Sequence, residues 1–253
     1  MSTQILAAAH NEKRVPDGTY CQPVMAGAAL MCGDIPPGYL RDDTGDNILD
    51  RNPNFCELTA MYWTWKNLDT DIIGLCHYRR YFASPTDRKS FLRPDEAEHI
   101  LRVCDVILPK ARNYVIETNR SHYANAHHGN DLYVTGKIIE EKHPEYLDAF
   151  EKRMDMTSGH RFNMMMMRKA LFDEYCCWLF DILFELEERL DLSDHSGNDK
   201  RVFGHIAERL LDVWIDARGL RTSELNYIFT GREHLMRKAV LMAARKMRGI
   251  ILR

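Results

Sequence analysis

The stretch Asp71-Ile72-Ile73-Gly74-Leu75-Cys76-His77-Tyr78-Arg79-Arg80-Tyr81-Phe82 joins a short apolar run to a histidine, a tyrosine and two arginines. A buried strand with such an end has one good reason for it: the end opens into a binding crevice, as in open α/β sheets. Arg79 and Arg80 are candidates for holding an anionic substrate, because the planar guanidinium fork matches phosphate oxygens in two-point contacts. An arginine pair salt-bridged to nearby acids at a surface is the structural alternative. Asp105-Val106-Ile107-Leu108-Pro109 reads as a second short strand, followed by Lys110, Arg112 and Asn113. If the two strands are neighbours in a parallel sheet, both basic ends face one crevice.

Two more stretches carry chemistry. Tyr39 to Ile48 is a dense polar loop containing Asp42, Asp43, Asp46 and Asn47. It either wraps a ligand, with aspartates accepting from sugar hydroxyls or holding a divalent cation, or is a plain Asp/Gly/Asn turn. Ser121 to Leu132 holds His122, His127, His128 and Asp131. Its histidine spacings do not share one helix face, so sugar hydrogen bonding or acid/base work suits them better than a metal site. Polar loop histidines are the alternative.

The elements that position these residues follow from pattern. Gln4 to Ala9 is a first strand ending at His10, with Pro16-Asp17-Gly18 as a turn. Asn54, with Glu57 three residues on, reads as the N-cap of a helix whose Leu58, Met61, Tyr62 and Trp65 form one buried face. Pro94-Asp95-Glu96 starts a helix to about Cys104. His160 and Asn163 lead into Met164 to Met167, a buried strand. Leu171 to Leu190 is a long helix with Phe172, Tyr175, Leu179, Ile182 and Leu186 inward. Asn198 caps the next helix, which has Phe203, Ile206, Leu210, Val213 and Trp214 as its stripe and Gly219 at its end. Arg201, Glu208 and Arg209 read as its end and surface charges. Thr222 to Thr230 suits a last strand.

Composition bounds the class. The chain has 253 residues and a net charge of -3, so it is no general polyanion binder and nucleic acid is not an expected partner. Seven cysteines form no CxxC pair and read as reduced thiols in a cytosolic protein. Met1 to Ala9 is too short for a signal-peptide core, and no apolar run reaches about 18 residues. Residues 232–253 hold seven Lys/Arg against one acid. They form an expected basic amphipathic helix after a domain at 1–231, suited to an anionic membrane surface or to packing on the domain or a partner.

Gly38 to Ile48, Asn52 to Ala60, Tyr62 to Asn67, Gly74 to Phe82, Val106 to Pro109, Phe162-Asn163-Met164 and Phe172 to Cys176 together resemble the bacterial capsular and exopolysaccharide biosynthesis family, long catalogued as a domain of unknown function and linked to glycosyltransferases. The resemblance covers most of residues 1–215. It implies an α/β fold, a GT-A-like Rossmann-type mixed sheet flanked by helices with a helical C-terminal part. It also implies sugar transfer from a nucleotide-sugar donor, with galactofuranose from a UDP donor among the family's transfers, to a lipid-linked or oligosaccharide acceptor. The expected place is the cytoplasm, at the inner face of the plasma membrane. Many GT-A enzymes set an Asp-x-Asp motif at a strand end, where it holds a divalent metal. Here that end carries His77-Tyr78-Arg79-Arg80, and Asp69-Thr70-Asp71 precedes its strand. Arginines are therefore expected in place of the metal and no cofactor is expected, with Mn or Mg as the alternative. The donor-site expectation is His10, Asp42, Asp43, Asn47, His77, Tyr78, Arg79 and Arg80. The acceptor-site expectation is His127, His160 and Asn163. The candidates for the base of an inverting transfer are Asp131, Asp46 and His128. A non-catalytic nucleotide-sugar or glycan-binding component of polysaccharide assembly is the alternative function.

Overall fold

A computed structural model of the chain describes residues 2–10 and 15–231. In chain order the strands are β1 (Thr3–Ala9), β2 (Cys21–Met25), β3 (Leu40–Arg41), β4 (Ile72–His77), β5 (Arg80–Phe82), β6 (Val106–Pro109), β7 (Arg112–Asn113), β8 (Ser158–Gly159), β9 (Met165–Arg168), β10 (Thr222–Leu225) and β11 (Tyr227–Phe229). The helices are α1 (Asn52–Phe55), α2 (Leu58–Asn67), α3 (Pro94–Ile100), α4 (Asn119–Ala126), α5 (Gly129–Lys142), α6 (Leu147–Asp155), α7 (Lys169–Arg189) and α8 (Val202–Ala217).

The main path of the sheet runs β10-β6-β9-β4-β1-β2-β3. β1 is parallel to β2 and β4, whereas β9 is antiparallel to both β4 and β6. So β4 and β6 are not neighbours, as a simple parallel sheet would have them. They still run the same way across β9, and their C-terminal ends share one edge of the sheet. The architecture is the expected mixed α/β sheet with helices on both faces.

Alternation explains why the strands read as unbroken apolar runs. Ile73, Leu75, Met165 and Met167 face the core built with α2, α5, α7 and α8. Ile72, Cys76, Met164 and Met166 face the opposite core with Leu92, Ala97 and Leu101. Both faces are dry, so no polar position marks a solvent side. The inward stripes expected of α7 and α8 are all buried. Gly74 is where β4 must yield to β9: a Cβ there would lie 2.8 Å from Met166 Cγ.

Several local expectations are corrected. Asn54 does not cap α2. The helix starts at Asn52, breaks at Cys56 (φ 51°) and resumes at Leu58, because Asn52 Nδ2 donates to the Cys56 carbonyl and to Thr59 Oγ1. β4 does not simply open at its end. Tyr78 and Arg79 turn the chain back into β5, which pairs with β11. Residues 222–230 accordingly form two strands, and α3 is shorter than expected. Asn198 caps nothing; its amide meets His205 Nε2. The expected C-terminal helix at 232–253 lies outside the described residues. Among the described residues no helix is long and apolar enough to cross a membrane.

Candidate functional site

The C-terminal ends of β1 and β4, the start of β7 and the residues preceding β9 meet at one edge of the sheet. The N-termini of α2 and α8 point there as well. His10 follows β1, His77 ends β4, and Glu57 precedes α2. Glu57 is buried; its Oε2 accepts from Arg201 Nη2 at 2.9 Å and its Oε1 from Asn163 Nδ2 at 3.1 Å. Phe162 and Asn163 take positive φ of 79° and 50°, a conformation that costs energy in non-glycine residues and clusters at working sites. The turn aims Asn163 at Glu57 and places the Phe162 ring against Arg80.

Ring faces hold the arginines. Arg79 lies 4.6 Å over Tyr78; Arg80 lies 4.1 Å over Phe162 and 5.1 Å over Phe229; Arg112 lies 5.5 Å from Phe162. The Nε atoms of Arg79 and Arg80 are buried without hydrogen-bond partners among the described residues. Neither arginine has a carboxylate within 4.0 Å among the described residues, so the surface salt-bridge alternative is not what is seen. Among the described residues, His10 Nε2, His77 Nδ1 and Asn163 Oδ1 are also orphaned at this edge. Buried polar atoms are nearly always paired, so five orphans at one edge mark a place where a ligand or water completes the set. A cavity of about 10 Å³, room for about one water, lies beneath, lined in part by Glu57, His77 and Asn163.

The charges are tuned by burial. Burial pulls the His77 imidazole down to about 3; Glu57 opposes this, while Arg80, His10 and Arg79 add to it. Burial likewise lowers His10, with Glu57 opposing. Both rings are neutral near pH 7. Burial works against the Glu57 carboxylate, but the Arg201 guanidinium and a backbone hydrogen bond help hold its pKa below the usual range.

The expected residues divide. His10, His77, Tyr78, Arg79, Arg80 and Asn163 come together. The aspartate loop is committed to neighbouring protein groups. Asp42 is buried, accepting from the Gly27 and Ala28 N–H groups at 2.8 and 2.9 Å and from the Thr59 hydroxyl at 2.6 Å. Asp43 binds Arg41, and Asn47 accepts from the Leu49 N–H. Asp46 accepts from the Tyr62 hydroxyl beside Asn67, at the far end of α2 from Glu57, roughly 15 Å along the helix. Asp131 is buried between Tyr123 and His195, so it has no free face for an acceptor. His160 spends both ring nitrogens, on Asp212 at 2.5 Å and Glu224 at 3.0 Å. His127 bonds Asp199 at 2.9 Å and stacks on His205, and His128 stacks on His195.

Glu57, Arg201, Glu208 and Arg209 were not expected in the site. Glu208 is no free surface charge: its Oε1 accepts from the Phe162 N–H at 3.0 Å. Arg209 is 3% exposed. A charged residue that breaks an otherwise apolar helix stripe was the available signal for Arg209. Glu57 and Arg201 are 144 positions apart, which no local pattern reveals.

A divalent metal does not fit this edge. Its two carboxylates are already engaged, Glu57 with Arg201 and Asn163 and Glu208 with the Phe162 N–H, and the remaining side chains are mostly imidazoles, a phenol and guanidiniums rather than the oxygen set that Mg or Mn takes. Asp71 lies at the opposite end of β4, bound to Ser2. Among the described residues no group of three His, Cys, Asp or Glu is arranged to hold a metal.

The profile of a family described as a domain of unknown function (DUF4422) matches residues 4–219. Among solved structures, the chain is similar to the apo structure of WbbM, a bifunctional glycosyltransferase, with 31% identity and a TM-score of 0.83. The match covers 92% of this chain and 46% of that one, so this chain spans about half the length of that protein. No curated protein matches. With most of its length matched by the profile, the chain belongs to the DUF4422 family.

Proposed function

We propose that this chain is a glycosyltransferase. In this reading it moves a sugar from a UDP-sugar donor, galactofuranose being the first to try, to a lipid-linked or oligosaccharide acceptor in capsular, exopolysaccharide or O-antigen synthesis. The likeness to WbbM supports sugar transfer, and the arginine hairpin carries the reading. Arg79 and Arg80 present unpaired guanidiniums, fixed by ring faces, at the sheet edge where α/β proteins bind nucleotides. A partly buried cation without a counter-ion is costly, and a diphosphate supplies the missing charge.

The chemistry follows from the placement. A base takes the proton of an acceptor hydroxyl, and the oxygen attacks the anomeric carbon. The bond from that carbon to the diphosphate oxygen breaks, and UDP leaves with the electron pair. The arginines neutralise the charge that develops on the leaving diphosphate. Glu208 is the base this reading selects. Its half-buried carboxylate is anchored at one oxygen, and Arg80 on one side and Arg209 on the other both feel its charge.

The test is a panel of UDP-sugars with the purified protein, read by melting temperature and UDP release. One donor should raise the melting point through linkage. Arg79→Ala should abolish that rise. Glu208→Gln should keep it and lower turnover by about 10²-fold or more. Strict Mn or Mg dependence surviving Arg79→Ala would overturn the arginine role. Donor binding with no turnover on any acceptor would make the chain a binding component instead.

A further inference from the structure

A second cationic niche lies beside the donor edge, on the side of α4 and α8. Arg209 forms its floor, 4.6 Å over the Tyr123 ring and donating from Nη1 to the His205 carbonyl at 2.6 Å. Its Nε is buried without a partner, and no carboxylate lies within 4.0 Å of it among the described residues. His122 forms the wall, stacked on Tyr114 at 3.9 Å between centroids, with Nδ1 also buried and unpartnered. Arg112, on exposed β7, lies 5.5 Å from the Phe162 ring that also carries Arg80, and its charge adds to burial in lowering the pKa of both Arg80 and His122, so it stands between the two regions. The neighbouring Arg161 is already occupied by Tyr114, Asn119 and the His160 carbonyl. Glu208, the nearest balancing carboxylate, is turned to the Phe162 N–H.

A buried guanidinium and an exposed arginine, neither ion-paired among the described residues, form a site for an anion, with His122, a neutral ring whose pKa burial and Arg209 push down to about 4, able to turn an N–H of its Nδ1 tautomer toward it. We infer that this niche is an acceptor subsite for an anionic group, a carboxylate or phosphate carried by the acceptor glycan. The word acceptor rests on the transfer reading above; the anion binding does not. Arg112 bridges the two regions, so an acidic group bound here holds its sugar beside Glu208 and the donor arginines.

The experiment is calorimetric titration of the 253-residue protein with glucuronate, glucose 6-phosphate and glucose, with and without saturating UDP to fill the donor side. The acidic sugars should bind at least tenfold more tightly than glucose, with UDP present, and the preference should shrink with added salt. A preference for glucuronate alone points to an acidic sugar, and one for glucose 6-phosphate alone to a phosphate-bearing acceptor; either supports the niche. His122→Gln and Arg209→Lys should each reduce the preference several-fold. If the Arg209 variant melts early, His122→Gln and the exposed Arg112→Gln carry the test. Equal affinity for glucose and the acidic sugars, a preference unchanged in the variants, or one abolished by UDP would overturn the inference. If only the transfer reading fails, no donor turnover is seen while the acidic-sugar preference remains.

Discussion

Glu57 divides its two oxygens between Arg201 and Asn163 while His10 and His77 face it, so the charge state of the whole edge depends on one carboxylate. Glu57→Gln keeps the shape and removes the charge. Arg201 is 39% exposed, so water replaces part of the lost pairing. The expected loss is about 1–3 kcal/mol of unfolding free energy, less than for a fully buried pair, measured by urea titration. Stability above that of the wild type would show that Glu57 is held at a cost for function. The histidines set the acid limit. The folded His77 pKa, about 3, lies below its ordinary 6.5. Its contribution is therefore present above 6.5 and lost as pH falls toward 3, by about 3 kcal/mol at pH 4. His160 is opposite in sign: burial alone would lower it, but Asp212 and Glu224 raise it. Its contribution is full below 6.5 and lost as pH rises through its raised value. His77→Gln should flatten the acid limb between pH 6.5 and 4 and leave the alkaline limb alone. An unchanged acid limb would place the acid sensitivity elsewhere.

At the scale of elements, the contact between β4 and β9 sets the register of the site. Gly74 meets Met166 three residues before His77, and Met166 follows Asn163 by the same distance along the opposing strand. Gly74→Ala should cost about 1–2 kcal/mol, because the methionine can bend away. Met166→Ala should cost about 2–4 kcal/mol through a cavity. The double variant should cost less than the two together; strict additivity in a double-mutant cycle would mean that the side chains do not compete for space. α7 and α8 were legible because their apolar periods are long and clean, and β4 and β9 because each is a short unbroken apolar run. The sequence could not show that β9 enters between β4 and β6, since a strand buried on both faces reads the same in either direction. The hairpin at Tyr78 and Arg79 was hidden for a related reason: nothing local marks a chain reversal whose partner strand, β11, lies near residue 228. The residues at strand ends that the structure brings together, His10, His77, Arg79 and Arg80, could be picked out by type. Asp42 and Asp131 misled, because a buried aspartate serving backbone amides or a tyrosine has the same letter as one serving a ligand.

The whole molecule separates charge by region, and the sheet determines where the basic part begins. β11 pairs with β5, and the Thr230 N–H donates to the Arg79 carbonyl at 3.0 Å. A Cβ on Gly231 would lie 2.9 Å from Arg79 Cδ. Gly231, the last described residue, therefore sits against Arg79, and residues 232–253, with seven Lys/Arg and one acid in a chain of net charge -3, follow it in sequence. Each basic residue near an anionic bilayer contributes about 1 kcal/mol, so the segment can outweigh repulsion from the acidic remainder over short range. Under the proposed transfer to a lipid-linked acceptor, attachment through this segment would hold the protein at the acceptor's surface. Removing 232–253 should abolish co-sedimentation with phosphatidylglycerol vesicles and leave binding to neutral phosphatidylcholine vesicles as weak as before. Transfer to a soluble oligosaccharide should persist, whereas transfer to an acceptor embedded in vesicles should fall at least tenfold. Loss of both transfers would make the segment part of the site itself. Unchanged sedimentation would show that membrane contact, if it occurs, uses another face.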